Sequence, residues 1–217
     1  MFNSKQEDSD TVVSYWISYT DILASLLIII LLTTAYLISK IGEKVNENEN
    51  VRKEMLLRIE KMLNNSGIPV YVAENQSVLR IPHSVLTFQS NKFIIPSEMK
   101  KNLDKIGKTI IDEIKKNNLS DSFETVFIEG HTDNIPSNLP KGNMGLSTFR
   151  AISVWEHWIS RVSDDFQTLN NTSGEKLFSV SGYGETRPIQ KDQSTPNRRR
   201  QNRRIDIRFT IHNPDIF

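Results

Sequence analysis

Between Trp16 and Ile38 the only charged side chain is Asp21, within the run YWISYTDILASLLIIILLTTAYLI that begins at Tyr15. At about 1.5 Å per residue, a helix of this length spans the roughly 30 Å hydrocarbon core of a bilayer. Residues 15–38 are therefore expected to form a transmembrane helix, and no second apolar run of that length follows. A cleaved signal peptide is the main rival. It would carry a basic start, a shorter apolar core and a small-residue cleavage site. Here the leader MFNSKQEDSD is acidic, the core is longer, and no A-x-A follows.

A carboxylate near the bilayer centre costs at least about 2.5 kcal/mol, so an Asp retained in a span calls for a reason. Ser18, Asp21, Ser25 and Thr33 recur at helical spacing and share one face. Two readings stay open on these residues alone. Asp21 lies near the headgroups of a lone helix, or the polar stripe faces protein neighbours and carries an ion.

The rest of the chain is long enough for one domain of ordinary size and a connecting segment. Its 27 basic and 26 acidic residues nearly cancel, which removes bulk attraction to nucleic acid or anionic lipid. Without cysteine there are no disulfides, thiolate metal sites or cysteine nucleophiles. Lys40, Lys44, Arg52 and Lys53 follow the span while only Lys5 precedes it. That count alone would place the C-terminal side in the cytoplasm.

Residues 1–14 are read as a polar tail and 39–69 as a helical linker. Ile41, Val45, Asn48, Arg52, Met55, Ile59 and Met62 alternate at coiled-coil spacing, a candidate dimer seam with Asn48 as its polar register residue. The other reading is a solvated amphipathic helix. Gly67 and Pro69 end it. From Val70 the pattern becomes β, with strands expected at 70–72, 78–81, 125–129, 177–181 and 205–211, and with further apolar pieces at 85–88 and 93–95. Helices are expected from Ser97 to about Lys116 and from about Ser147 to Val162. This predicts an α+β chain: one N-terminal transmembrane helix, a helical linker, then over 70–217 an α/β sandwich whose mixed sheet carries helices on one face.

Four blocks carry more than pattern. They are GHTD at Gly130 to Asp133; Asn143, Leu146-Ser147 and Arg150-Ala151; GYGETRP at Gly182 to Pro188; and Asn202-Arg203-Arg204-Ile205 before the last strand. Together they resemble the OmpA C-terminal domain family, which binds peptidoglycan. That resemblance implies that Asp133 and Arg150 hold the ammonium and carboxylate of diaminopimelate in the wall peptide, with Thr132 and Asn143 as secondary contacts. The chemistry is consistent, since a zwitterionic end needs an anion and a guanidinium presented together. The bland alternative has Asp133 capping a turn and Arg150 paired with a carboxylate on its own helix.

The run NRRRQNRR at Asn197 to Arg204 could neutralise phosphates. The balanced net charge and the match of its second half to a family block weigh against nucleic acid. Its expected role is local, lining the wall-peptide groove or meeting anionic polymer. His83, His131, His157 and His212 form no HExxH pattern, and no nucleophile elbow is present, so neither an enzyme nor a metal site is expected. His131 is expected to order the GHTD turn.

A span with an Asp near its start, a linker and an OmpA-like domain resembles the MotB class of stator subunits. Ser18 to Leu27 matches that class's S-x-x-D-[LIM]-[LM]-x-x-L-[LM] segment. The spelling YWISYTD, and Met144-Gly145 where the flagellar members carry a tryptophan before the LS pair, bring it closer to the ZorB subunits of Zorya antiphage systems. The resemblance implies a homodimer inside a ring of MotA- or ZorA-like multispan partners, with Asp21 as the ion carrier and Ser18 and Ser25 beside its path. A proton is favoured over Na⁺ as the transported ion, and no cofactor is implied. It also implies an inner-membrane protein with a cytoplasmic N-terminus and a periplasmic domain, against the Lys/Arg count. A flagellar-type stator subunit and a passive membrane-to-wall tether are the alternatives.

Overall fold

The computed structural model describes residues 3–212, with side chains from Tyr15 onward. Residues 1–2 and 213–217, the outer ends of the expected tail and wall-binding domain, lie outside the described residues, as do the side chains of 3–14. The chain divides into two units, Met1–Lys44 with Pro214–Phe217, and Val45–Asn213. Helix α1, Asn3–Asn65, supplies the described part of the first and opens the second.

In the first unit every side chain from Tyr15 to Lys40 is exposed. The apolar window there has a mean hydropathy of 2.5 and no buried residue. Among the described residues this is the one helix long and apolar enough to cross a membrane. Thr20, Thr33 and Thr34 turn their hydroxyls back onto carbonyls of the preceding turn, which hides their polarity from the surroundings.

The second unit is built on a five-stranded sheet in the order β1-β2-β5-β3-β4, comprising Tyr71–Ala73, Val78–Pro82, Phe123–His131, Phe178–Gly182 and Arg204–Ile211 for β1 to β5. Only β3 and β4 run parallel, joined through α3 (Gly142–Arg161) and the short α4 (Asp165–Thr168). The register sets the two faces. Val126, Ile128 and Gly130 pair with Phe209, Ile207 and Ile205, and these look into the core. Phe127, Glu129 and His131 pair with Arg208, Asp206 and Arg204 on the opposite face.

Helix α2, Ser97–Lys116, buries Leu103, Ile106, Ile110 and Ile114 at helical spacing, and α3 buries Ala151, Val154 and Trp158. Trp158 is fully buried, and its indole N–H donates to the Leu103 carbonyl at 2.8 Å, so its bulk is used without stranding a donor. Gly107 makes room for it, because a Cβ there would meet the indole at 2.6 Å.

The structure changes or adds to the sequence reading in three places. Met55, Leu56, Ile59 and Leu63 are fully buried in the same core as the sheet, and Asn48 donates to the His212 carbonyl at 2.9 Å. From Asn48 onward, then, most of the face read as a linker seam is covered by the chain's own domain. Met62 remains exposed. The pieces at 85–88 and 93–95 are not strands. Val85, Leu86 and Ile95 are buried as loop residues instead. Finally, the arginine run contains a helix, α5 at Pro196–Asn202. Thr195 caps it by accepting from the Arg198 N–H, and Pro196 takes the first helical position.

Candidate functional site

The C-terminal ends of β3 and β4 run under the N-terminal half of α3, and glycines set how closely. A Cβ on Gly130 would lie 2.0 Å from the Ser147 carbonyl oxygen, and one on Gly182 would lie 2.1 Å from Thr148 Oγ1. Real side chains cannot approach so closely, so both positions demand glycine. Past the strands the two blocks stay joined. Tyr183 N–H donates to the Gly130 carbonyl at 3.0 Å, and Thr132 N–H donates to the Gly184 carbonyl at 2.9 Å. Ser147 Oγ accepts from Gly184 N–H at 2.8 Å and donates to the Met144 carbonyl at 2.9 Å. Leu146, Ser147, Arg150 and Ala151 are all buried, since they form the α3 face laid on these strand ends.

Beside this junction lies an open cleft of about 330 Å³. Thr132, Asp133, Asn143 and Arg150 all line it, so four of the expected site residues meet in one place. Asp133 is nearly buried. Its Oδ1 accepts from Ile135 N–H at 3.2 Å, and its Oδ2 accepts from Arg203 Nη1 at 2.6 Å. Its carbonyl accepts from Asn143 Nδ2 at 3.3 Å. Thr132 Oγ1 and Asn143 Oδ1 are buried at the cleft without a hydrogen-bond partner among the described residues. Unmet polar atoms of this kind are uncommon and call for an explanation.

Among the described residues, Arg150 pairs with no carboxylate. Its Nε donates to the Lys92 carbonyl at 3.0 Å, its Nη2 donates to the Gln89 carbonyl at 3.1 Å, and its guanidinium lies 5.0 Å from the Phe88 ring centre. Burial, with Arg203 nearby, holds its pKa down at about 10, while Asp133 acts in the opposite direction. It stays a cation at neutral pH. Its Nη1 has no hydrogen-bond partner among the described residues, which leaves one edge of a fixed fork for an incoming acceptor. His83, also at the cleft, is pushed down to about 4 by burial and by Arg203, Arg200 and Arg150, and is neutral at physiological pH.

Several of these participants were not singled out from sequence. Arg203 sits in the Asn202-Arg203-Arg204-Ile205 block, but nothing in its spacing paired it with Asp133. The carbonyls of Gln89 and Lys92 have no residue-type signature at all. Asn202 is fully buried, exchanging two 2.8 Å hydrogen bonds with the Gln190 backbone, which fixes where Arg203 begins. Of the span residues, Ser18, Asp21 and Ser25 belong to the other unit and are exposed.

On the sheet face away from the core, Glu129, His131 and Asp206 are buried with their ligand atoms within 4.8 Å of one another. Arginines already fill the carboxylates. Arg80 takes both oxygens of Asp206 at 2.9 Å, Arg204 Nε donates to Asp206 Oδ2 at 2.9 Å, and Arg208 takes Glu129 at 2.8 and 3.1 Å. Burial lowers the His131 pKa below its ordinary 6.5, and its ring stacks on Tyr183 at 5.4 Å. This chemistry suits an ion-pair lattice under the GHTD turn better than a cation site, because three guanidinium groups would repel the ion.

Residues 87–203 match the OmpA family, more than half of the chain. The chain belongs to the OmpA family. The packing roles of its four blocks are visible here: the GHTD glycine and the GYGE glycines admit α3, and the NRRI asparagine ties down the loop before the last strand. Among solved structures, a MotB-like protein from Desulfovibrio vulgaris is similar at 18% identity and TM-score 0.56, over 79% of this chain and 99% of that one. The cell wall anchor of the T6SS from Pseudomonas aeruginosa is similar at 22% identity and TM-score 0.50, over 72% and 97%. These likenesses concern the fold. No curated protein matches the sequence.

Proposed function

We propose that this chain is the membrane-embedded, wall-anchored inner subunit of a MotB-like ion-driven motor. The observation that carries the reading is the meeting of Asp133 and Arg150 in one cleft, one acceptor and one rigid donor fork on a shared wall. Asp133 takes the ammonium of a diaminopimelate end, and the open edge of Arg150 takes its carboxylate. Thr132 and Asn143 supply the remaining polar contacts, which accounts for their unmet atoms. The task is binding, without bond making or breaking.

Anchoring of this kind gives a fixed point to a helix that handles ions. The exposed span with Asp21 supplies such a helix, with Ser18 and Ser25 on its face and two copies seated inside a ring of MotA- or ZorA-like multispan partners. Moving one charge through 100 mV releases about 2.3 kcal/mol, and a proton is the favoured cargo. The domain from Val45 onward then lies in the periplasm and the residues before the span in the cytoplasm. Assignment to the ZorB subunits of antiphage defence rests on the YWISYTD spelling and on Met144-Gly145.

The wall grip is tested by titrating the full chain, purified in detergent, with meso-diaminopimelate. Saturable binding is expected. Asp133→Asn or Arg150→Lys should weaken it about 10- to 100-fold, the loss of one charge-assisted contact of about 1.5–3 kcal/mol. Equal affinity in all three proteins would sink the assignment.

A further inference from the structure

The charges around the cleft do not balance for a zwitterionic ligand. Asp133 is the one carboxylate among the described lining residues, against the guanidinium groups of Arg150, Arg199 and Arg203. A diaminopimelate end brings one ammonium and one carboxylate, so it leaves the excess of two positive charges untouched. An excess of fixed positive charge facing a partly enclosed space raises the local concentration of an anion.

The excess is also localised. Arg199 lies in the last turn of α5 and Arg203 just past its end, and both line the cleft. Arg199 is half-buried, and its Nη1 is tied to the Gln193 carbonyl at 2.9 Å and the Ser194 carbonyl at 3.3 Å. That anchoring fixes the fork while its Nε and Nη2 make no hydrogen bond among the described residues. Arg203 spends Nη1 on Asp133 and holds its other donors without such a bond. The neighbouring arginines of the run point elsewhere, Arg198 to Asp192 and Arg200 to a surface beside Ser84.

We propose that Arg199 and Arg203 form a second anion subsite, so that the cleft reads the wall stem peptide through a free carboxylate outside the diaminopimelate end. This rests on the wall-binding reading above. In stem peptides the glutamate before diaminopimelate is linked through its side chain and keeps its α-carboxylate. That group is an anion of the required kind, one residue away from the zwitterionic end. Where the carboxylate is amidated, the arginine pair loses its partner and discrimination follows from unpaired charge.

The test compares three ligands by calorimetry on the full chain in detergent: meso-diaminopimelate, the tripeptide L-Ala-γ-D-Glu-meso-diaminopimelate, and the same tripeptide with the glutamate α-carboxylate amidated. The free tripeptide should bind about 10-fold or more tightly than the amidated one. Arg199→Gln should collapse that ratio towards one, and Arg199→Lys should restore part of it, since lysine keeps the charge and loses the fork. Equal binding of the two tripeptides to the unaltered chain overturns the subsite while leaving the diaminopimelate grip standing. A ratio that persists in Arg199→Gln overturns it as well. Failure of all three ligands to bind overturns the grip and the subsite together.

Discussion

Arg203 Nη1 donates to Asp133 Oδ2 at 2.6 Å, linking the residue after α5 to the loop that follows β3. The two are 70 positions apart in the chain. The contact holds the Asp133 carboxylate in place before any ligand arrives, and Ile135 N–H holds its other oxygen. Preorganisation of this sort lowers the ordering cost of binding.

A double-mutant cycle measures that contact. Asp133→Asn and Arg203→Met should each destabilise the domain in urea unfolding. The double variant should lose less than the sum, with a coupling of about 0.5–3 kcal/mol. Strict additivity would mean that the pair contributes nothing to holding the site.

Gly130→Ala should damage fold and site together. The added methyl would sit 2.0 Å from the Ser147 carbonyl, a backbone atom that cannot swing aside. Overpacking typically costs about 1–3 kcal/mol, and relief here requires α3 to lift from β3, carrying Arg150 away from Asp133. Thermal unfolding and diaminopimelate titration should both register the change. Undiminished binding in a stable variant would refute the close-approach argument.

Acid should unfold the domain through its buried carboxylates. Burial acts to raise the Asp206 pKa, but Arg80 and Arg204 outweigh it and hold it below its ordinary 3.8. A group depressed on folding contributes stability that is present above its unfolded value and lost as pH falls through the folded one. The contribution of Asp206 therefore persists at neutral pH, begins to fade below about pH 3.8 and is gone once pH has fallen through its lower folded value. Arg80→Met removes one partner, raises that pKa and should shift the acid transition to higher pH. At pH 7 it should cost about 1–3 kcal/mol, because Asp206 Oδ1 loses its donor while Arg204 still holds Oδ2. An acid midpoint identical to the parent's would contradict this account.

Asp21→Asn separates an ion-driven subunit from a passive tether. The substitution keeps shape and removes the carboxylate, so membrane insertion and diaminopimelate binding should stay at parental levels. Activity in cells, and ion flux through the assembled complex in vesicles, should be abolished. Full activity in this variant would leave the chain as a tether.

The domain's main elements were readable because each had a local period. The apolar spacing of Leu103, Ile106, Ile110 and Ile114 announced α2, and TVFIE announced the middle of β3. Helix α5 was readable too, since Thr195-Pro196 is a cap followed by a proline at the first helical position, but the arginine run drew the reading toward charge instead. Val85 to Phe88 illustrates the opposite case. Its apolar residues look like a strand, yet Val85 and Leu86 are buried in a loop whose Gln89 and Lys92 carbonyls serve Arg150.

What the amino-acid order determined by itself was the apolar span around Asp21, the α+β class, and the identity of the four blocks. Each depends on interactions within a few residues, or on residue types that survive as spelling. Tertiary structure alone decided that Arg203 grips Asp133, that backbone carbonyls aim Arg150, and that Met55 and Ile59 face the chain's own core rather than a second helix. The reason is physical. A guanidinium or an apolar side chain accepts many partners of equal chemistry, and only the closed packing of sheet, helices and loops selects which one lies within about 3 Å.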